Sequence, residues 1–386
     1  MGDDVEEKLL GYLGRGQGPQ SYEIGLFTQH FDRIMAILEG KVVPPYEIEI
    51  QPTSRCNLRC KWCFGQRYIK LPDLLTLDNV PRLVRKVTEF EEDGFGIDNI
   101  KFCGSTGEPL LNEATIEAIK RFKDAGKKVI LFSNGVLLDK EIIGDGKHYY
   151  DVIAGMDRLT LSLDADCEET FRRVKETDGF ERIIGGLEKL MERRDGLTVE
   201  ASYVITEDNL EGVFPAALLM KLIGVDNMIY RVDFTDPAAV HRISDKIIEN
   251  ISATEQLSDK GFNVISAYDN KSIEQDNSAF HSHGNKCYTS HFWASIGPDL
   301  RLYACGHRTH GGVKSYGSLL EHSLRELWTS KERQEGIARL PDRHCVFCSP
   351  GSARRNEFMT YLSTLPTEQI REFYEKHVVN GALGAS

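Results

Sequence analysis

Tyr46 to Cys63 reads YEIEIQPTSRCNLRCKWC. Its first six residues alternate β-branched or aromatic with polar side chains and end at Pro52, the signature of a short strand and its turn. The strand delivers a C-x₃-C-x₂-C run, Cys56, Cys60 and Cys63. Three thiolates can bind three irons of a four-iron cluster and leave the fourth iron to a substrate or cofactor. A zinc site normally takes four protein ligands. Zinc, or three ordinary buried cysteines, are the alternatives that spacing alone leaves open.

From this strand a β/α alternation runs outward. The pattern predicts further strands at 99–103, 128–133, 159–163, 197–205 and 228–232, with helices at 77–92, 113–125, 180–193 and 210–222 between them. Strands alternating with helices of this length imply a parallel sheet with right-handed crossovers. Six units are too few for a closed eight-stranded barrel. The expected fold is therefore α/β, a partial (β/α)6 TIM-like barrel whose ligands bind at the C-terminal strand ends.

The expected organisation is a helical extension over 1–45, the barrel core over 46–250, a linker over 251–286, a cysteine-bearing module over 287–350 and a C-terminal helix over 351–386. Within these, single helices are expected over 23–38, 244–260 and 360–379. A strand is possible at 262–266, a polar loop runs over 269–285, and a frayed end is expected over 380–386.

The net charge of −12 argues against a nucleic-acid partner, which requires a basic face. No apolar run approaches the roughly 18 residues of a membrane span, and the acidic N-terminus has no signal-like apolar stretch. A cytoplasmic protein without membrane partner is the expectation. Nine cysteines, an odd number, fit a disulfide framework poorly. Seven fall in two groups with metal-ligand spacing, while Cys103 and Cys167 stand alone.

The first group, with Trp62 before its third cysteine, resembles the radical S-adenosylmethionine (SAM) superfamily. The resemblance runs from Tyr46 to Cys348. It implies a [4Fe–4S] cluster whose open iron is chelated by SAM, and an electron supplied by a flavodoxin- or ferredoxin-type donor. Reductive cleavage of SAM then yields a 5′-deoxyadenosyl radical that abstracts hydrogen from substrate. Phe64 occupies the position where the family backbone commonly meets the adenine. Thr106-Gly107-Glu108-Pro109 looks like the family's Gly-Gly-Glu-Pro motif, with Thr106 for the first glycine, and is placed to receive the SAM ammonium. Ser133, Asn134 and Ser162, at later strand ends, match positions with polar contacts to SAM; Asp164 also stands there.

The second group is Cys287, Cys305, Cys345 and Cys348. On spacing alone zinc is the commoner assignment, with His307 and His310 nearby. Its place after such a core resembles a small C-terminal iron–sulfur module, the twitch form of the SPASM domain. That resemblance implies a second, fully ligated [4Fe–4S] cluster suited to electron transfer. It points to enzymes typified by 2-deoxy-scyllo-inosamine dehydrogenase and to a small polar substrate, a sugar, aminocyclitol or aminoglycoside in antibiotic biosynthesis. The outcome would be dehydrogenation, epimerisation or dehydration. A maturase of ribosomally made peptides is the second reading, and a non-catalytic iron–sulfur carrier or zinc adaptor the third. Candidates for the general base are Asp164, Arg172, Tyr203, Arg231, Asp233 and His307. Cys167, in the loop after the strand at 159–163, is a candidate hydrogen donor, with Cys103 a second.

Overall fold

The computed structural model describes residues 3–14, 22–233, 236–266, 285–345, 348–381 and 383. Nine strands form one open sheet: β1 (Glu47–Ile50), β2 (Asn99–Phe102), β3 (Lys128–Ser133), β4 (Arg158–Ser162), β5 (Thr198–Ile205), β6 (Asn227–Val232), β7 (Asn263–Ser266), β8 (Trp293–Ile296) and β9 (Leu302–Tyr303). Their order is β7-β6-β5-β4-β3-β2-β1-β8-β9, and all neighbours pair in parallel except β8 and β9. The sheet is α/β and unclosed, as the partial-barrel reading expects. It extends that reading on both sides, because β7 adds a seventh unit and β8, from the cysteine-bearing region, pairs with β1.

Strict alternation along the strands explains the layering. Ile48, Ile50, Ile100, Phe102, Val129, Leu131, Leu159, Leu161, Val199, Ala201, Met228 and Tyr230 enter one apolar core with the helices. Their neighbours Glu49, Thr160, Glu200, Ser202 and Ser295 are buried polar side chains on the opposite, inner face. Side chains of period two put these sets on opposite faces. A hydrophobic outer face under helices is normal for a parallel sheet. A polar inner face is not, and it marks where chemistry sits.

A second core joins the two ends of the chain, packing Leu9, Phe27, Phe31 and Ile34 against Phe292, Phe358, Ile370 and Phe373. The helices differ from expectation at their breaks. The 23–38 helix is two, Tyr22–Gln29 and Phe31–Leu38, separated at His30. The 360–379 helix is broken before Thr367 by Pro366, a residue that cannot continue a helix from its N-terminal side. The helix Glu168–Lys175, which composition did not announce, follows β4. The polar loop at 269–285 lies almost wholly outside the described residues, as does much of the end at 380–386. No helix among the described residues is long and apolar enough to cross a membrane.

Candidate active site

The loop after β1 carries the three cysteines and is tied down at several points. Asp73, which sequence reasoning passed over, accepts from Thr53 Oγ1 (2.6 Å), Ser54 N (2.8 Å) and Arg55 Nε (2.9 Å). Leu58 N donates to Cys56 Sγ at 3.4 Å. Burial pushes the Cys56 thiol up to about 11, the Leu58 amide opposes this, and Glu108, Cys60 and Cys63 add to the rise.

The turn after β2 packs directly on this loop. Glu108 N donates to Arg55 O at 2.8 Å. A Cβ on Gly107 would fall 2.2 Å from Thr53 O, and one on Gly65 would fall 2.1 Å from Ser105 O. Only glycine fits such an approach. Glu108 is buried. Its Oε1 accepts from Leu110 N (3.1 Å) and Ser133 Oγ (2.7 Å), and its Oε2 from Asn134 N (2.8 Å). Burial raises its carboxyl pKa, partly offset by these three donors. Asn134 Nδ2 reaches Asn57 Oδ1 at 2.9 Å, closing a ring from the cysteine loop through Glu108 to the end of β3. Ser162 sits in register with Ser202 on the inner face.

Thr106, standing where the family has glycine, is buried, and Lys70 Nζ donates to its carbonyl at 2.5 Å. Its Oγ1 is buried without a hydrogen-bond partner. A glycine-walled turn and an orphaned hydroxyl beside the loop that carries Cys56, Cys60 and Cys63 are residue types that suit a SAM-chelating iron–sulfur cluster. The Phe64 side chain lies outside the described ones. Trp62 has the Lys175 ammonium 5.3 Å from its ring centroid.

The second group also converges. Burial raises the pKa of the Cys305 thiol, and Cys287, Cys345 and Cys348 raise it further. Cys348 is pushed up to about 12 by burial, with Cys287 and Cys345 adding. Arg308 grips Asp342 with two hydrogen bonds (2.5 and 2.9 Å) and points Nη1 at Cys345 Sγ, 3.4 Å away. His310 instead stacks on Tyr68 at 4.1 Å. Among the described residues, no group of three or more His, Cys, Asp or Glu is arranged to hold a metal ion.

The two groups meet through the inner face. Gln51, wholly buried at the end of β1, donates Nε2 to Glu49 Oε1 (2.8 Å) and Gly306 O (3.2 Å), beside Cys305. Lys101 Nζ holds Glu49 Oε2 at 2.9 Å. Cys103 lies against this pair; burial drives its thiol pKa well up, and Glu49 raises it further.

These features decide the comparisons. The profile of the radical SAM superfamily matches residues 50–213. Probable GTP 3′,8-cyclases of Saccharolobus islandicus are 30% identical over 237 residues, 57% of this chain and 70% of theirs. The chain belongs to the radical SAM superfamily. The superfamily fold brings with it a [4Fe–4S] cluster and SAM. The GTP 3′,8-cyclase of Clostridium perfringens is 27% identical over 166 residues, 42% of this chain and 47% of that protein. Among solved structures, Streptococcus suis SuiB bound to S-adenosylmethionine has a TM-score of 0.57 at 15% identity, covering 84% of this chain and 74% of its own. anSMEcpe with bound AdoMet has a TM-score of 0.53 at 15% identity, covering 87% of this chain and 99% of its own. Both likenesses are of fold.

The candidate bases separate by placement. Arg172 is exposed and paired with Asp178 (2.6 Å). Tyr203 lies on the helix side of β5 in the apolar core, with its hydroxyl donated to Asn209 O (2.7 Å). Asp164 is buried in an ion pair with Lys175 and accepts from Val204 N at 2.6 Å. Arg231, on the inner face, reaches Ser202 Oγ at 3.2 Å, and Asp233 follows β6. His307 is half-buried near Glu49 and Lys101, and desolvation lowers its pKa. Cys167 is exposed at the start of the helix after β4, 3.4 Å from Thr170 Oγ1.

Proposed function

We propose that this radical SAM enzyme carries two [4Fe–4S] clusters and abstracts hydrogen from a small hydroxyl-bearing substrate of the sugar, aminocyclitol or aminoglycoside class. Cys56, Cys60 and Cys63 hold the first cluster, with Thr106, Gly107, Glu108, Ser133 and Asn134 shaping the SAM site. Cys287, Cys305, Cys345 and Cys348 hold the second, in a twitch-type module. SAM bound at the first cluster supplies the 5′-deoxyadenosyl radical.

The observation that carries this reading is the second group. Cys287, Cys305, Cys345 and Cys348 influence one another's thiols and supply the number of thiolates that closes a cluster without an open iron. Such a cluster suits the removal of an electron from a substrate and not its ligation. The inner face suits a neutral polyol or amino sugar. Lys101 is matched there by Glu49, and serines line the face around Ser162, Ser202 and Ser295. His307, near the Glu49–Lys101 pair, is our choice for the group that takes the hydroxyl proton. A flavodoxin or ferredoxin donor and a cytoplasmic setting complete the proposal.

The identity to GTP 3′,8-cyclases supports a second reading, a purine nucleotide substrate. A triphosphate requires cations free to meet it, and the salt bridge of Lys101 to Glu49 speaks against that. Reconstituted protein should hold about eight irons per chain, four per cluster. Replacing Cys345 by Ala should remove the second cluster and stop turnover while SAM still binds. Reduced enzyme is then offered SAM with an aminocyclitol panel, GTP or peptides. Release of 5′-deoxyadenosine above the substrate-free rate with the aminocyclitols is the expected result. About four irons per chain, or stimulation by GTP alone, overturns the proposal.

A further inference from the structure

The helix Glu168–Lys175 ends against the first cysteine loop. Its last-turn carbonyls accept from the loop, Lys175 O from Arg59 N (3.1 Å) and Val174 O from Lys61 N (3.3 Å), on either side of Cys60. Phe171 and Val174 anchor the helix in the core, and Glu176 stops it in a left-handed turn at φ 56°. A helix C-terminus presents partial negative charge, which disfavours any further negative charge on the loop it touches.

Lys175 offsets this. Its side chain is 2% exposed, a rare condition for a lysine that is not paired. The ammonium is ion-paired with Asp164, stands 5.3 Å from the Trp62 ring centroid and lies beside Cys60. Asp164 is itself immobilised. It has φ 56°, takes Val204 N on Oδ1 (2.6 Å) and has its carbonyl held by Asn209 Nδ2 (3.0 Å). The cation therefore stands at a fixed point where water cannot screen it. Burying a charged pair is costly unless it is used or excellently satisfied.

We propose that Lys175 is a positioning and tuning residue for the SAM-site cluster: its fixed cation beside Cys60 stabilises the reduced, more negative cluster and so sets how readily the donor can reduce it. Charge and hydrogen bonds around cluster sulfurs set such potentials. Asp164 holds the cation in place and attenuates its field. The loop after β4 thereby connects the ligand face to the electron-accepting loop.

The inference rests on assigning Cys56, Cys60 and Cys63 to that cluster. A parent enzyme with no paramagnetic signal responsive to SAM contradicts that assignment and not the role of Lys175. The test is a redox titration of holoenzyme followed by electron paramagnetic resonance, reading the midpoint of the SAM-responsive signal at matched iron content. Lys175→Met with Asp164→Asn removes both charges together and keeps an acceptor for Val204 N, so neither partner is left as a buried orphan charge. Its midpoint should move to more negative potential. Asp164→Asn alone leaves the cation less neutralised and should move the midpoint the opposite way. Lys175→Arg, keeping charge and donors, should stay near the parent. An unchanged midpoint in the neutral pair overturns the proposal, as does a shift of both Asp164→Asn and the neutral pair in the same direction. If the neutral pair does not retain iron, the opposite-signed shift of Asp164→Asn against a parent-like Lys175→Arg carries the test. A shift in Lys175→Arg as large as in a charge-removing variant overturns it.

Discussion

Replacing Glu108 by Gln tests the ring of contacts that joins the cysteine loop to β3. In the parent, two carboxylate oxygens meet three donors: Leu110 N, Ser133 Oγ and Asn134 N. Glutamine has one acceptor oxygen. If that oxygen keeps Leu110 N and Ser133 Oγ, its amide nitrogen faces Asn134 N, donor against donor. If the amide flips, Leu110 N is stranded instead, and only the serine hydroxyl can rotate to accept. Either way one backbone N–H, buried beside Glu108, has no partner, at a cost of about 1–3 kcal/mol. The remaining bonds lose their charge assistance, but the neutral amide also escapes the burial penalty of the carboxylate, so the total stays about 1–3 kcal/mol. A domain's whole stability is about 5–15 kcal/mol, so urea denaturation of iron-matched parent and variant should resolve the loss. The same strain displaces Asn134 from Asn57 and loosens the turn carrying Thr106. SAM affinity, read by calorimetry, should fall about tenfold for each 1.4 kcal/mol transmitted to that site. A variant within about 0.5 kcal/mol of the parent, the range of ordinary surface changes, with SAM affinity intact, would refute the ring.

Two further predictions follow from the same geometry. Gly107→Ala places a methyl 2.2 Å from Thr53 O, so the cysteine loop must move; iron loading of the first cluster should drop sharply while the second is retained, and full loading of both counts against the close approach. His30, stacked on Tyr46 at 4.2 Å, has its pKa lowered from the usual 6.5 to about 4 by burial and by Arg33. It is neutral when folded, and the unfolded chain gains its proton first as pH falls, so stability is present above pH 6.5 and lost towards pH 4. After discounting for partial exposure, His30→Gln should recover about 1–2 kcal/mol of that acid loss. Parallel stability–pH curves for parent and variant between those limits would show that His30 does not contribute.

What was legible in the sequence was local. The spacing of Cys56, Cys60 and Cys63 is a chemical constraint written within a few residues, and β3 and the helix Phe180–Arg193 carry periodicity strong enough to place both ends. The helix Glu168–Lys175 was missed because EETFRRVK is short and mostly charged, a composition that also suits a surface loop. Its purpose lies in one lysine that the chain turns inward, and no pattern marks such a residue. Asp73 was missed for the same reason, since one aspartate between Pro72 and Leu74 looks like any other loop acid. The pairing of β8 with β1 depends on distant residues. Tyr203 misled because it stands near a strand end, whereas strand parity, odd or even, decides which face it serves.

That pairing also dictates the order in which the molecule can be completed during synthesis. Ile48 finds Ala294 and Glu47 finds Trp293 only when nearly the whole chain has left the ribosome. Until then the outer side of β1 is an unpaired edge, the kind of template on which nascent chains associate wrongly. The apolar surfaces of Phe27, Phe31 and Ile34 wait as long for Phe358 and Phe373. Contacts between residues so far apart in sequence slow folding. A shortened protein ending after β7 would keep every residue of the first cysteine loop yet expose that edge, and should accumulate in inclusion bodies or on chaperones where the full chain does not.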